Sequence, residues 1–304
     1  MSFFTSLLTA ALALSGAVSG TPMKKRSPKI IFDGRIPVKT RLADLDSASA
    51  SPFNAEYVLG AGQKWSDVAK FPRVETSMYD LRSRSKAIEV TINDDSIFAP
   101  GGTPQAGFRR SELLPKPNNG TDATVSGHTT FHFSIKDDPH RPLNYSHQYE
   151  LAFIETNDYS SHVWTLKTGT AYGATKLPAP DARTLRLGSS TAGGAAEEVL
   201  FSVPFRKGGP WHNFAVETDW DKNTIAVYYS ADYAPLRKVV ETRENDATGK
   251  GQAHIGILKL PTGPSSDVAH EGYQQSNLDE GLVYGGIFAE DSSSRKPNYC
   301  RPRA

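Results

Sequence analysis

The segment Gly107-Phe108-Arg109-Arg110-Ser111-Glu112-Leu113-Leu114-Pro115 places a carboxylate two residues from a guanidinium. In an extended strand, residues i and i+2 share a face, so Arg110 and Glu112 become neighbours, opposite Arg109, Ser111 and Leu113. A guanidinium beside a carboxylate keeps it ionised and oriented, which suits a base or nucleophile. A general acid would need burial to raise its pKa. The same pair would also serve as a structural ion pair at a sheet edge. A second segment, Ser146-His147-Gln148-Tyr149-Glu150-Leu151-Ala152-Phe153-Ile154-Glu155, offers two more glutamates. Both alternating sets of this run mix polar and apolar members, so periodicity leaves open whether Glu150 or Glu155 faces solvent. Glu155 closes the run beside the turn-like Thr156-Asn157-Asp158, where functional groups collect on rigid scaffolds. It is the preferred partner of Glu112, with Glu150 the rival.

Other residues are suited to recognition rather than bond-making. Arg110, His147 and Gln148 flank the two glutamate segments, and Trp211-His212 opens a further run. A Trp-His pair at a strand start could stack on a ring and hydrogen-bond hydroxyls; core packing of Trp211 and a backbone bond to His212 is the plainer reading. The sequence has no His-Glu-x-x-His and one cysteine, which excludes a cysteine metal cluster. It has no Gly-x-Ser-x-Gly elbow and no phosphate-binding loop. The acid-rich turns Asp94-Asp95 and Asp137-Asp138 have the ligand type for structural calcium, although solvated loop charge is the favoured reading. No cofactor is required for the chemistry expected.

The elements that must hold these residues read as strands. Alternating or β-branched and aromatic runs occur at 87–92, 130–135, 149–155, 162–166, 184–187, 199–205, 212–220, 224–230, 254–260 and 282–288, bounded by Gly, Pro, Asn and Asp. Twenty prolines and 25 glycines supply turns. The one short piece with helical spacing lies near Trp65–Lys70. The spacing predicts an all-β, two-sheet antiparallel sandwich of the jelly-roll kind, with a concave groove on one sheet. No linker or repeat divides 30–290, so one domain over 27–291 is expected, followed by a polar tail at 292–304.

Residues 3–18 are apolar or small and uncharged, and a small-residue stretch follows. A secretory signal over 1–20 is expected, with a propeptide at 21–26 ending in the basic cluster Lys24-Lys25-Arg26. The run is too short for a comfortable membrane span. Removing that cluster takes the net charge from +1 to −2, since 1–26 holds no acid. A near-neutral surface argues against a nucleic-acid partner, and no membrane partner is expected. Asn119-Gly120-Thr121 and Asn144-Tyr145-Ser146 are glycosylation sequons, which fit a secreted chain. Cys300 is the only cysteine, so no internal disulfide forms. A secreted monomer is expected.

The blocks Phe32-Asp33-Gly34-Arg35, Ser51-Pro52-Phe53-Asn54, Asp95-Ser96-Ile97-Phe98, Gly107 to Leu113, Pro142-Leu143-Asn144, Trp211-His212-Asn213-Phe214, Gly256-Ile257-Leu258-Lys259 and Glu280 to Phe288 occur in order. Through them the chain resembles glycoside hydrolase family 131, a fungal β-glucanase family, over about 30–291. The resemblance implies a jelly roll that cleaves β-1,3-, β-1,6- and β-1,4-linked glucans. It implies that Glu112 is one catalytic carboxylate and Glu155 the second, with His147 and His212 as substrate contacts or orienting groups. It also implies a glutamate at position 148, where this sequence has Gln. One carboxyl would protonate the leaving oxygen while the other activates water or attacks carbon. A separation of ~5 Å would give retention and ~6.5–9.5 Å inversion.

Two other readings stay open. Arg110-Ser111-Glu112-Leu113 also resembles a block of alginate lyases, in which the arginine would neutralise a uronate and a Tyr or His would abstract the proton. A non-catalytic glucan-binding wall protein fits the same fold, and Gln148 is the feature that favours it.

Overall fold

The computed structural model describes residues 28–189, 197–293 and 297. The expected signal and propeptide, most of the expected tail and Cys300 lie outside the described residues.

Sixteen strands account for most of the regular structure. They are β1 (Lys29–Asp33), β2 (Ile36–Pro37), β3 (Ala69–Lys70), β4 (Ser85–Lys86), β5 (Ile88–Asn93), β6 (Arg109–Leu113), β7 (His128–Asp137) and β8 (Gln148–Glu155). The second half adds β9 (His162–Gly169), β10 (Thr184–Ser189), β11 (Glu198–Pro204), β12 (His212–Asp219), β13 (Thr224–Ala231), β14 (Arg237–Glu244), β15 (Gln252–Lys259) and β16 (Asp279–Asp291). One short α-helix, α1 (Trp65–Val68), falls on the piece of helical spacing read from the sequence.

Two large antiparallel sheets result, with β2 and β4 paired apart as a two-stranded sheet. One has the order β14-β13-β12-β7-β16-β5-β3, with β1 also paired to β16; the other runs β11-β10-β9-β8-β15-β6. This is the all-β sandwich expected of a jelly roll. Along β7, Phe131, Phe133 and Ile135 point between the sheets, as do Phe214 and Val216 of β12 and Val163, Trp164 and Leu166 of β9. Phe133 stacks on Phe214 and on Trp164 of the opposite sheet, with centroids 5.5 Å and 6.2 Å apart. The apolar half of each alternating strand thus fills one continuous core, and the other half is left on the outer faces.

The edge of the six-stranded sheet at β6 is covered by loops. Glu112 N–H donates to the Val58 carbonyl (3.3 Å) and Arg110 N–H to the Ser96 carbonyl (2.7 Å). Covering an edge removes the free ladder groups that would otherwise pair with another chain. It also fixes the strand that carries the Arg110–Glu112 pair.

Candidate active site

The sequence left undecided which glutamate of β8 faces out, and the structure shows why. Tyr149 and Leu151 point into the core, and so do Ala152 and Ile154. The inward set therefore slips by one residue between Leu151 and Ala152. Pairing with β9 shifts register between Glu150 and Ala152, and again between Phe153 and Glu155. Such a bulge re-aims the side chains beyond it. As a result Gln148, Glu150, Phe153 and Glu155 all belong to the outer face.

Strand β15 lies between β6 and β8. Its Ala253, Ile255 and Ile257 are core residues, which leaves His254 and Gly256 on the outer face. On β6, Leu113 is in the core, and Arg110 and Glu112 lie on the outer face beside His254. The Glu112 carboxylate takes two bonds from Arg110, Nε to Oε1 at 2.8 Å and Nη2 to Oε2 at 3.1 Å. His254 Nδ1 meets Glu112 Oε2 at 2.7 Å, and its Nε2 points to Glu155 Oε2 at 3.4 Å. Nε2 makes no hydrogen bond among the described residues. The imidazole is held flat by Phe153, whose ring is 4.7 Å away and tilted by 8°.

Glu112 and Glu155 therefore share one sheet face, joined through a histidine. They differ in access. The Glu155 side chain is 20% exposed, whereas that of Glu112 is 0% exposed. The expectation of two carboxylates lining an open groove is corrected for Glu112, because β6 is overlaid by covering loops and its carboxylate is sealed by Arg110 and His254. Burial pushes the Glu112 carboxyl up, but the Arg110 charge and the His254 and Arg110 hydrogen bonds outweigh it and hold it at about 2. It is a permanent buried anion at neutral pH. The Arg110 guanidinium is raised despite burial by its Glu112 contact.

A second polar group continues across β8 and β9. Lys167 Nζ lies 3.3 Å from Glu150 Oε1 and also pairs with Glu197. His162 Nδ1 is 3.7 Å from Glu150 Oε2, and Gln148 Nε2 donates to Glu150 Oε1 at 3.3 Å. Burial lowers the His162 pKa, and the carboxylates of Glu150 and Glu155 offset part of that. Gln148 thus lies next to Glu150 rather than Glu155.

Three expected contacts lie elsewhere. His147 precedes β8, is buried, and uses Nδ1 on the Leu260 carbonyl at 2.7 Å; burial and nearby Lys259 bring its pKa to about 4. Trp211 packs with Ala87 and Val283 on the outer face of the other sheet, its indole N–H donating to the Glu75 carbonyl at 3.1 Å. His212 is buried against Phe205 and Tyr229, with Nδ1 2.9 Å from the Tyr229 hydroxyl. Trp211 precedes and His212 opens β12, a strand of the sheet that does not carry Glu112.

The turns weighed for calcium use their carboxylates internally. Asp94 accepts from Asn277 and Leu278 N–H, Asp137 from Gly208 N–H, and Asp138 from His140 N–H. Asn119 is exposed, whereas Asn144 is half-buried with its amide donating to Gln275 Oε1 at 2.7 Å. Among the described residues no helix is long and apolar enough to cross a membrane.

His254 was missed in the sequence because it has no motif of its own. The available signal was Gln252-Ala253-His254-Ile255-Gly256-Ile257, where the histidine is a polar member of an alternating strand. Only its pairing with β6 and β8 brings it between the glutamates.

The fold is thus a two-sheet jelly roll, one outer face of which bears a buried carboxylate, a histidine and a more open carboxylate. Residues 30–295 match the glycoside hydrolase 131 catalytic N-terminal domain, and the chain belongs to that family. The chain is similar to the crystal structure of a GH131 β-glucanase catalytic domain from Podospora anserina (24% identity, 88% of this chain and 98% of that one, TM-score 0.68). It is also similar to the GH131 catalytic domain from Coprinopsis cinerea (20% identity, 90% of this chain and 100% of that one, TM-score 0.63). No curated protein matches the chain. The chain is thus a glycoside hydrolase of family 131.

Proposed function

We propose that this enzyme hydrolyses β-1,3-, β-1,6- and β-1,4-linked glucan after secretion, and that Glu155, His254 and Glu112 form its acid–base chain. The observation that carries the reading is the imidazole of His254 lying 2.7 Å from Glu112 and 3.4 Å from Glu155. Glu155 is the carboxyl of this chain that substrate can reach. Hydrolysis delivers one proton to the departing sugar oxygen and takes one from the attacking water. Glu155 gives its proton to the departing sugar oxygen and, then a carboxylate, takes one back from the attacking water, with His254 Nε2 3.4 Å from the same carboxyl. The buried Glu112 anion holds Nδ1, as a carboxylate does behind a general acid–base histidine. Glu112 therefore acts through His254.

Glu150 is the alternative second carboxyl, since the bulge in β8 puts it on the same face. Replacing Glu112, Glu150 and Glu155 singly by Gln, and measuring reducing sugar released from laminarin and cellulose-type glucans, separates the assignments. Loss of ~10²-fold or more is expected for Glu155→Gln and Glu112→Gln. Full activity in either variant removes that residue. An unsaturated, ultraviolet-absorbing product from alginate or glucuronan would instead establish the lyase reading.

A further inference from the structure

Where β8 begins, the outer face of the six-stranded sheet meets an aromatic side chain that the acid–base chain does not use. Tyr172 follows β9, and its backbone N–H donates to Gln148 Oε1 at 2.9 Å. Its phenol reaches the Ser265 carbonyl at 3.4 Å. Ser265 lies in an excursion closed by the bridge between Thr262 and Tyr273. Tyr172 therefore spans two loops at one end of the face that carries Gln148 and Glu150.

The far anchor is itself fixed. Gly107 N–H donates to the Ala269 carbonyl, and Gln274 Nε2 donates to the Gly107 carbonyl, each at 2.8 Å. A Cβ at Gly107 would lie 2.2 Å from the Val268 carbonyl oxygen, so the excursion sits hard against the start of β6. Tyr172 is half-exposed and belongs to none of the apolar clusters. Its ring is not required for core packing, yet both its backbone and its hydroxyl are tethered.

We propose that Tyr172 is a sugar-ring platform that sets the length of glucan this face prefers, with Gln148 as the residue that positions it. A pyranose presents an apolar C–H face that an aromatic ring can cover, and a tyrosine tied at both ends loses little freedom on binding. Gln148 spends its carbonyl oxygen on the Tyr172 loop and its amide on Glu150 (3.3 Å), which ties the platform to the polar group of the face. The glutamine at this position is thereby given a structural use. The inference rests on reading this face as the glucan site.

The test compares wild type with Tyr172→Ala, Tyr172→Phe and Gln148→Ala on cello- and laminari-oligosaccharides of three to six units. For Tyr172→Ala, KM is expected to rise ~10-fold for the longer oligosaccharides and little for the shortest, with kcat changed less than about threefold. Tyr172→Phe keeps the ring and should stay within about twofold of wild type. Gln148→Ala should show the same length-dependent rise in KM, smaller in size. A KM that stays put at every length in Tyr172→Ala, or an equal loss at every length, overturns the proposal. If wild type turns over none of these glucans, the hydrolase reading fails separately, and calorimetric binding of cellohexaose and laminarihexaose then decides. Weaker binding by Tyr172→Ala than by wild type supports the platform; equal binding, or none by wild type, overturns it.

Discussion

Lys259 Nζ and Glu280 Oε1 lie 2.8 Å apart between the two sheets, with side chains 0% and 3% exposed. The pair links β15, the strand that carries His254, to β16 of the opposite sheet. Glu280 also accepts from the Tyr149 hydroxyl (2.8 Å), Gln275 Nε2 (2.9 Å) and Asn144 N–H (3.2 Å), so its lone pairs are well used. Burial lowers the Lys259 pKa, and the Glu280 charge opposes that shift. Removing one partner would strand a charge in the core, which costs about 3–5 kcal/mol. Lys259→Met is expected to lose stability in that range in urea or guanidinium unfolding, and Lys259→Met with Glu280→Leu to recover much of it. A single variant as stable as wild type would show that the pair does not hold the sheets together.

Gly256 stands opposite Glu112 in the β15–β6 register. A Cβ there would come within 2.1 Å of the Ser111 carbonyl oxygen and 2.7 Å of Glu112 Cα. These are backbone atoms, so no flexible side chain can move aside. Below the same residue, the Tyr284 hydroxyl donates to the Gly256 carbonyl at 2.5 Å. Gly256→Ala is therefore expected to displace β6, with a loss of about 1–3 kcal/mol and a drop in activity as Glu112 leaves His254. A crystal structure or melting curve indistinguishable from wild type would refute the crowding argument.

Buried groups pull stability in opposite directions as pH changes: His147 and His212, lowered by burial to about 4, favour the native state above the ordinary histidine value and less so as pH falls. Buried Glu89 has its pKa raised to about 7, first by burial and then by the hydrogen bond and charge of Asp138, with Arg141 opposing. A carboxyl raised on folding binds its proton more tightly in the native state. Its contribution is complete below the ordinary value near 4.5 and is lost as pH climbs through 7, by an amount on the order of 2–3 kcal/mol. Glu112, lowered to about 2, behaves in the opposite sense: its contribution is present above 4.5 and is lost as pH falls toward 2. Glu89 is isolated by difference: on going from pH 5 to pH 8, wild type should lose more unfolding free energy, or gain less, than Glu89→Gln. The same pH dependence in both proteins would place the titration elsewhere.

The strands were legible because core residues alternate with polar ones through β5, β7 and β12, a period that only an extended chain satisfies. The sandwich followed from their number and spacing. Strand β14 (Arg237–Glu244) was overlooked because its Arg-Lys-Val-Val-Glu-Thr-Arg-Glu run is largely exposed and carries charge where alternation would show. The Arg110–Glu112 contact was readable from an i, i+2 spacing. The position of Glu155 was not, because one extra inward residue at Leu151-Ala152 breaks the count that any periodic argument depends on. Glu112 lost its expected solvent access to loops around Val58 and Ser96, whose approach to β6 is a long-range contact with no local signature.

His254 carries the last prediction, because it alone touches both glutamates. In His254→Asn an amide can still donate to Glu112, so folding should be nearly preserved: Glu112 keeps both Arg110 bonds, at 2.8 Å and 3.1 Å. What is lost is the imidazole between the two glutamates, the group placed to pass a proton. Hydrolysis of laminarin or a cellulose-type glucan is expected to fall ~10²–10⁴-fold in kcat, with KM changed far less, since asparagine fits the same space. His254→Ala should fall at least as far, and added imidazole should restore part of the rate by entering the space beside Phe153. If His254→Asn instead keeps its kcat, the 2.7 Å contact with Glu112 is a structural bond. Glu155 would then have to work with Glu150, the other carboxylate that the bulge in β8 turns to the same face.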